Sequence, residues 1–596
     1  MAAVIPGYHG NLLEVDLSTG KIATRGLDRQ SLQLTVGGTG LGARILLDEL
    51  APGIDPRAEE AVLLLLAGPF AATRVPCGDR TSVVCKSPLT GIWAESDVGG
   101  RFAGHMRSSG FDGIVIRGRS DKPVFLEISE GAAQIRSADS LWGLDTYRTH
   151  EMLEREAGAR ISSMAIGPAG ERQVLLASIV SDGNDARVAA RCGVGAVMGS
   201  KMLKAVVARR GGRQVPVHDP EGLRKSLQQT VRRMTELSES LREFGTSSGV
   251  EDCHALGDFP IKNWQLRQWD RAGNLSGTVL ARTILKRRYH CARCPIGCGR
   301  VVQVEEGPFR TPAPGGGPEY ETLGSLGGNL MVDNIQAVAL ANDLCNRYGM
   351  DTISVGQVIG LAYESFQRGY LKEGDFDGLR PRWGDPEPMI TLIRLIGEKR
   401  GIGAQLGLGV RRACVALARG DPELDLQVKG LEIPSHDPRA FASIALGYAT
   451  SPRGACHLQA YSHGVEAWLA MPELGFPEIL DRFSAERKAE LCVKMQDLMS
   501  LFDSLKMCKF VLYAGVTIQR LVEWLDRVTG WGFDQAQLLE AGRRIFELKL
   551  SFNRREGLSR EEDRIPRRLS RGEIGSQLPR MLGEYYRIRG VVEDPG

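Results

Sequence analysis

Two hydrophobic periods divide the chain. Up to about residue 210, apolar and polar positions alternate in short runs. Leu13, Val15 and Leu17 alternate with polar neighbours, Ser18-Thr19-Gly20 turns the chain, and Lys21-Ile22-Ala23-Thr24 returns, which predicts a hairpin. Further short strands are predicted at 61–66, 81–85, 113–117, 124–128, 174–179 and 205–208, separated by glycine-rich turns. Beyond residue 218 the spacing changes. Asp219-Pro220 is a cap followed by proline at the first helical position. Leu223, Leu227, Val231, Met234, Leu237 and Leu241 then recur at steps of three and four, predicting an amphipathic helix that stops at Gly245. Helices are also predicted at 334–347, 389–399, 485–500, 517–529 and 534–554. Residues 307–318 hold too many prolines and glycines for regular structure. That loop ends where it can deliver Glu319, Tyr320 and Glu321 into a cleft. A second break falls near 429–434, and the chain has no internal repeat or low-complexity block.

The totals narrow the classes. A chain of 596 residues suggests three or four domains, and 42% hydrophobic content can fill large cores. The formal net charge of +3 gives no sign of a nucleic-acid binder. Twelve cysteines are too dilute for a disulfide scaffold. The opening, 1–10, lacks a basic segment followed by an apolar one, so no signal peptide is expected. The longest apolar run, 61–72, is broken by Gly68 and Pro69 and is too short for a membrane span. These features fit a protein of the reducing cytoplasm. Basic clusters at Arg209-Arg210, Lys286-Arg287-Arg288 and Arg567-Arg568 read first as solvated surface, and second as a docking patch for an acidic electron carrier.

The chemistry concentrates in His290-Cys291-Ala292-Arg293-Cys294-Pro295-Ile296-Gly297-Cys298. Three thiols in C-x2-C-x3-C spacing can grip one face of a metal or cluster, with a fourth ligand from elsewhere. The spacing suits an iron–sulfur cluster, a structural zinc with His290 as a fourth ligand, or unligated thiols. Spacing alone leaves these open.

Several stretches occur in one order along the chain: 10–20 with Val36-Gly-Gly-Thr-Gly-Leu-Gly42; Lys86-Ser-Pro-Leu-Thr-Gly91 with Glu95-Ser-Asp-Val-Gly-Gly100; 187–204; the cysteine loop; Gly317-Pro-Glu-Tyr-Glu321; 346–354; Asp437-Pro-Arg439 with 450–457; and Asp503-Ser-Leu-Lys-Met-Cys508. Together they resemble the tungsten-containing aldehyde:ferredoxin oxidoreductases. The resemblance implies an α+β fold of three domains: a β-rich pterin-binding base (1–210), a helical domain with the cysteine loop (211–430) and a C-terminal helical domain (431–596). It implies a tungsten bis-pyranopterin, with molybdenum able to use the same cage. It also implies magnesium bridging the pterin phosphates and a 4Fe-4S cluster on Cys291, Cys294, Cys298 and Cys508. The matching cofactor positions are Arg80, Asp97, Gly99, Arg187, Arg191, Asn346, Met350, Asp351, Arg453, Gln459, Asp503 and Met507. Their chemistry is apt: arginines grip phosphate or pterin oxygens, acids and amides accept from ring nitrogens, and glycine lets the backbone approach.

The same resemblance places Glu321 and His457 nearest the metal, with Tyr320 and His436 beside them. Glu321 is the expected base, and His457 and Tyr320 the expected donors to a developing oxyanion. The implied reaction is oxidation of an aldehyde, with electrons passed to ferredoxin or a small iron–sulfur subunit, in an oligomer or hetero-oligomer. The chain departs from the family pattern at Lys506 and Met507 (glycine and leucine expected), Asn346 (an acid), Gln459 (a lysine) and His436 (a tyrosine). It also lacks a convincing Glu/His pair for an intersubunit iron. The same scaffold serves tungsten-dependent aromatic acyl-CoA reductases, and a non-catalytic zinc-stabilised binding protein is the alternative outside enzymes.

Overall fold

The computed structural model describes residues 4–158 and 160–590; the first three residues of the opening segment lie outside it. The alternating half folds into two six-stranded sheets. The first contains β1 (Asn11–Asp16), β2 (Lys21–Gly26), β3 (Leu63–Leu66), β4 (Thr81–Lys86), β5 (Trp93–Val98) and β6 (Gly113–Arg117), in the order β2-β1-β6-β3-β4-β5. The second contains β7 (Val124–Ser129), β8 (Ala132–Ser137), β9 (Ile161–Ala165), β10 (Ile179–Ser181), β11 (Arg187–Ala189) and β12 (Leu203–Arg209), in the order β11-β10-β9-β12-β7-β8. The β1–β2 hairpin is antiparallel, with Val15 opposite Ile22. β3 is Leu63-Leu64-Leu65-Leu66, buried on both faces. It therefore reads as a continuous apolar run rather than an alternating one.

Three expectations shift. The strand foreseen at 174–179 begins only at Ile179, because Val174–Leu176 form a turn sunk in the core and Ala177 makes an isolated bridge to Met350. The predicted 223–241 helix is two helices, Pro220–Leu237 and Glu239–Phe244. Ser238 separates them, its Oγ returning to the Met234 carbonyl at 2.5 Å, the back-bonding that bends helices. Asp219 does cap the first, accepting from Gly222 N. Helix Thr352–Gln367 was not foreseen; thirteen of its sixteen residues are buried, so it has no polar face to give a period.

Two elements aim the chemistry. A three-stranded sheet of β13 (Leu285–Tyr289), β14 (Gly299–Val302) and β15 (Gly315–Gly316) makes the cysteine loop the connection between β13 and β14. The buried helix Lys488–Leu505 ends on Lys506 in the left-handed conformation, φ +61°, its N–H returning to Phe502 O. Cys508 follows two residues later. No helix among the described residues is long and apolar enough to cross a membrane.

Candidate active site

The cysteine loop, the end of helix Lys488–Leu505 and the residues after β15 converge on one cavity of about 780 Å³. Cys291, Cys294, Cys298 and Cys508 all line it, although 210 residues separate the last two. Gly99 lies against this set. A Cβ there would meet the Cys291 sulfur at 2.6 Å, so only glycine fits without displacement. A fifth thiol, Cys77, was not foreseen; its Sγ lies 3.6 Å from Cys294 Sγ. The hydrogen bond from Cys77 is the largest influence drawing the Cys294 pKa down to about 6, while burial lifts Cys508 to about 11.

Next to the thiols the wall is cationic. Arg80 donates to the Asp97 carbonyl at 3.0 Å, Arg187 pairs with Glu319 at 2.8 Å, and Arg191 donates to the Glu432 carbonyl at 2.7 Å. Arg187 Nε is buried without a hydrogen-bond partner, and Arg191 Nε faces the Asp351 carboxylate at 3.5 Å without hydrogen-bond geometry. Unpaired buried guanidinium nitrogens are costly, and an anionic group in the cavity would satisfy them. Asn346, Met350 and Asp351 complete this side. Asp351 also caps helix Thr352–Gln367 by accepting from Ile353 N and Ser354 N. Asp97 reaches the cavity too, held by Ser82 Oγ at 2.8 Å and by the Lys506 ammonium. Burial alone would lift the Asp97 pKa, but Lys506 overcomes it and holds the carboxyl below its usual range.

Four cofactor candidates lie behind this wall rather than on it. Arg453 is buried against the Glu95 carbonyl (2.6 Å) and Cys456 Sγ (2.7 Å), and Gln459 donates to the Glu95 carboxylate. Asp503 is ion-paired with Lys509 at 2.9 Å, its pKa lifted to about 6 by burial against the pull of Lys509. Met507 packs into the apolar core of the C-terminal helices.

The remaining wall carries Glu321, Tyr320, His436 and His457. Glu321 Oε2 accepts from Ser435 N at 2.7 Å. Its Oε1 is 3.2 Å from His457 Nδ1 and 3.7 Å from His436 Nε2. Neither Oε1 nor His457 Nδ1 has hydrogen-bond geometry to any partner, so both stay available to a ligand. Burial raises the Glu321 pKa above the usual carboxylate value. His436 differs from its neighbours. Burial opposes its charge, but Asp258, whose Oδ2 is 2.6 Å from His436 Nδ1, overcomes this and raises the ring's pKa. His457 and His463 have theirs pushed well below the free imidazole value, first by burial and then by His436. Through its hydroxyl, Tyr320 donates to the Ser435 carbonyl at 2.9 Å. Its ring stacks on His436 at 4.9 Å. The mouth is apolar and aromatic, with Leu237, Tyr461, Trp468, Phe510 and Tyr513.

Comparison with known proteins adds the family. A profile for the aldehyde ferredoxin oxidoreductase N-terminal domain matches residues 12–210, and one for domains 2 and 3 matches residues 222–596. The tungsten-containing aldehyde ferredoxin oxidoreductase of Pyrococcus furiosus is 35% identical over 604 residues, covering 99% of this chain and 97% of that protein. The chain belongs to the aldehyde ferredoxin oxidoreductase family. Within this oxidoreductase family the chemistry varies. The WOR-like subunit of an aliphatic sulfonate oxidoreductase of Pyrococcus furiosus is 30% identical, covering 91% of this chain and 85% of that protein. Among solved structures, the active-site complex BamBC of benzoyl coenzyme A reductase, in complex with 1,5-dienoyl-CoA, superposes with a TM-score of 0.88 at 25% identity. That match covers 99% of this chain and 96% of that chain. Against this family background, Asp258, Cys77 and His463 are the residues that sequence reasoning missed. Only His463 left a trace: three of the chain's nine histidines fall between 436 and 463.

Proposed function

We propose that the protein oxidises aldehydes to carboxylic acids at a tungsten bis-pyranopterin held in the cavity. A 4Fe-4S cluster on Cys291, Cys294, Cys298 and Cys508 carries the electrons onward to ferredoxin or a small iron–sulfur partner. The observation behind this reading is that four thiols from two remote segments and the Glu321–His436–His457 group share one cavity walled by arginines whose Nε donors make no hydrogen bond. The residues fit such a group. Arg80, Arg187 and Arg191 would hold its phosphate and pterin oxygens, and magnesium would supply a hard cation for such oxygens. The thiols are not gathered as a single zinc would require, with sulfurs about 3.8 Å apart for bonds of about 2.3 Å. Among the described residues, the two groups of potential ligands lying within 4.8 Å of one another are Cys253–Asp258–His436 and Glu321–His436–His457. Neither includes a loop thiol.

When bound, the tungsten centre supplies a two-electron acceptor, and the cluster a one-electron exit. The chain's own part is proton handling and positioning. Aldehyde plus water gives acid, two electrons and two protons. Glu321 Oε1, with its raised pKa, takes the proton of the attacking water. Neutral His457 offers a ring N–H to the carbonyl oxygen. His436, held by Asp258, carries a proton within reach of Glu321 and stabilises it once ionised. Tyr320 and Ser435 fix the rings and the carboxylate in place.

A second reading, reduction of an aromatic acyl-CoA, is favoured by His436, whose pKa Asp258 raises and which could deliver protons to a ring, and by the likeness to BamBC. Anaerobic enzyme assayed with benzaldehyde and a viologen dye, beside benzoyl-CoA with a strong reductant, separates the two. Dye reduction with benzaldehyde alone supports aldehyde oxidation; turnover only of benzoyl-CoA replaces it.

A further inference from the structure

Four thiols complete a cubane cluster, one for each iron, yet six line the cavity: these four, Cys77, and Cys253, which sits with Asp258 and His436. Of the two extra thiols Cys77 is the one that touches the cysteine loop, and its surroundings are built rather than incidental. It is buried, and its backbone takes the left-handed conformation, φ +60°, which side-chain-bearing residues rarely adopt. Its N–H donates to the Arg293 carbonyl at 3.2 Å, within the cysteine loop. Its carbonyl accepts from Cys508 N–H at 3.0 Å, at the remote ligand. Two residues on, Asp79 accepts from Ala72 N at 2.8 Å and from the Arg293 guanidinium. Segment 72–80 of the base domain therefore clamps both halves of the thiol set. The side chain of Cys77 completes the clamp, 3.6 Å from Cys294 Sγ, an S–H···S contact.

We propose that Cys77 is a positioning residue for the cluster proposed above: its S–H donates to the Cys294 sulfur, stabilising the reduced cluster and raising its potential. This rests on the proposed cluster and goes beyond it, because none of the four ligand positions requires a fifth thiol. The physical ground is that hydrogen bonds to ligand sulfurs draw off their negative charge and favour the more negative, reduced state. Removing the donor lowers the midpoint; an oxygen donor in the same place restores it.

The test uses anaerobically purified full-length holoenzyme and the variants Cys77→Ala and Cys77→Ser, titrated potentiometrically with the reduced cluster followed by EPR. For Cys77→Ala the reduced-to-oxidised ratio at fixed potential should fall about threefold, a shift of about 30 mV at 59 mV per tenfold for one electron. Cys77→Ser should recover most of it. Electron–nuclear double resonance of the reduced wild type should show a deuterium-exchangeable coupling that Cys77→Ala lacks. An intact cluster with unmoved midpoint and couplings overturns the role of Cys77 and leaves the cluster assignment standing. A Cys77→Ala protein that loses one iron makes Cys77 a ligand and overturns the proposal. Wild-type protein with no cluster signal overturns both.

Discussion

The most informative single change is Asp258→Asn. Asp258 is fully buried, and its carboxylate holds His436 Nδ1 at 2.6 Å and Asp437 N at 2.8 Å. Asparagine has nearly the same shape and keeps an acceptor, so packing survives while the charge is lost. A hydrogen bond to a charged group is worth about 1.5–3 kcal/mol, and a pKa unit corresponds to about 1.36 kcal/mol. The charged form of His436 should therefore lose about 1.5–3 kcal/mol of stabilisation, and burial, no longer opposed, pushes its pKa down. The sign follows. A raised imidazole pKa keeps the charged ring present to higher pH, and that form is lost as pH climbs through the folded-state value. If turnover needs charged His436 and ionised Glu321, the wild-type profile is a bell. Its acid limb comes from Glu321 and its alkaline limb from His436. Asp258→Asn should move the alkaline limb about one to two pH units toward acid. The assay is the pH dependence of kcat/KM for dye-coupled aldehyde oxidation, with metal content checked in both proteins. An alkaline limb that stays in place, with the rate unchanged or scaled equally at every pH, refutes the role assigned to the pair.

Other changes probe the surroundings. Gly99→Ala puts a Cβ 2.6 Å from Cys291 Sγ; purified variant should hold less iron per chain, and full iron content would contradict the close approach. Tyr320→Phe strands the Ser435 carbonyl, which should cost about 1–3 kcal/mol of stability. Because that hydroxyl is already committed, kcat should fall by less than about tenfold, against the hundredfold or more expected for an oxyanion donor. Lys549→Met leaves the Glu95 carboxylate buried without its ammonium at 2.8 Å, a loss of about 3–5 kcal/mol. It should appear as a lower melting temperature, recovered in large part by adding Glu95→Gln.

The sheet half was legible wherever one strand face met the core, as in β1 and β2, and at the fully apolar β3. It was misread at Val174–Leu176, where an equally apolar run is a buried turn; burial and strand conformation produce the same letters. Amphipathic helices showed their period, whereas Thr352–Gln367, buried all round, did not. The site was legible only through ordered motifs. Those located the lining residues Glu321, His457, Arg80, Arg187 and Arg191, yet could not tell them from Arg453, Gln459, Asp503 and Met507, which sit one layer back. Asp258 is 178 residues from His436, and Cys77 is 217 from Cys294. Such pairs are made by folding, and no local spacing announces them. The departures become coherent in three dimensions. Lys506 is the partner of Asp97, and His436 that of Asp258, so each unexpected side chain has an acidic partner.

The central claim is tested most directly by metal and sulfide analysis of anaerobically purified protein, with Cys508→Ala alongside. The account predicts a brown protein with one tungsten or molybdenum, about four irons and about four sulfides per chain, and iron falling in the variant while the protein stays folded. A colourless protein with a single zinc and no pterin, or iron content indifferent to Cys508, would contradict it.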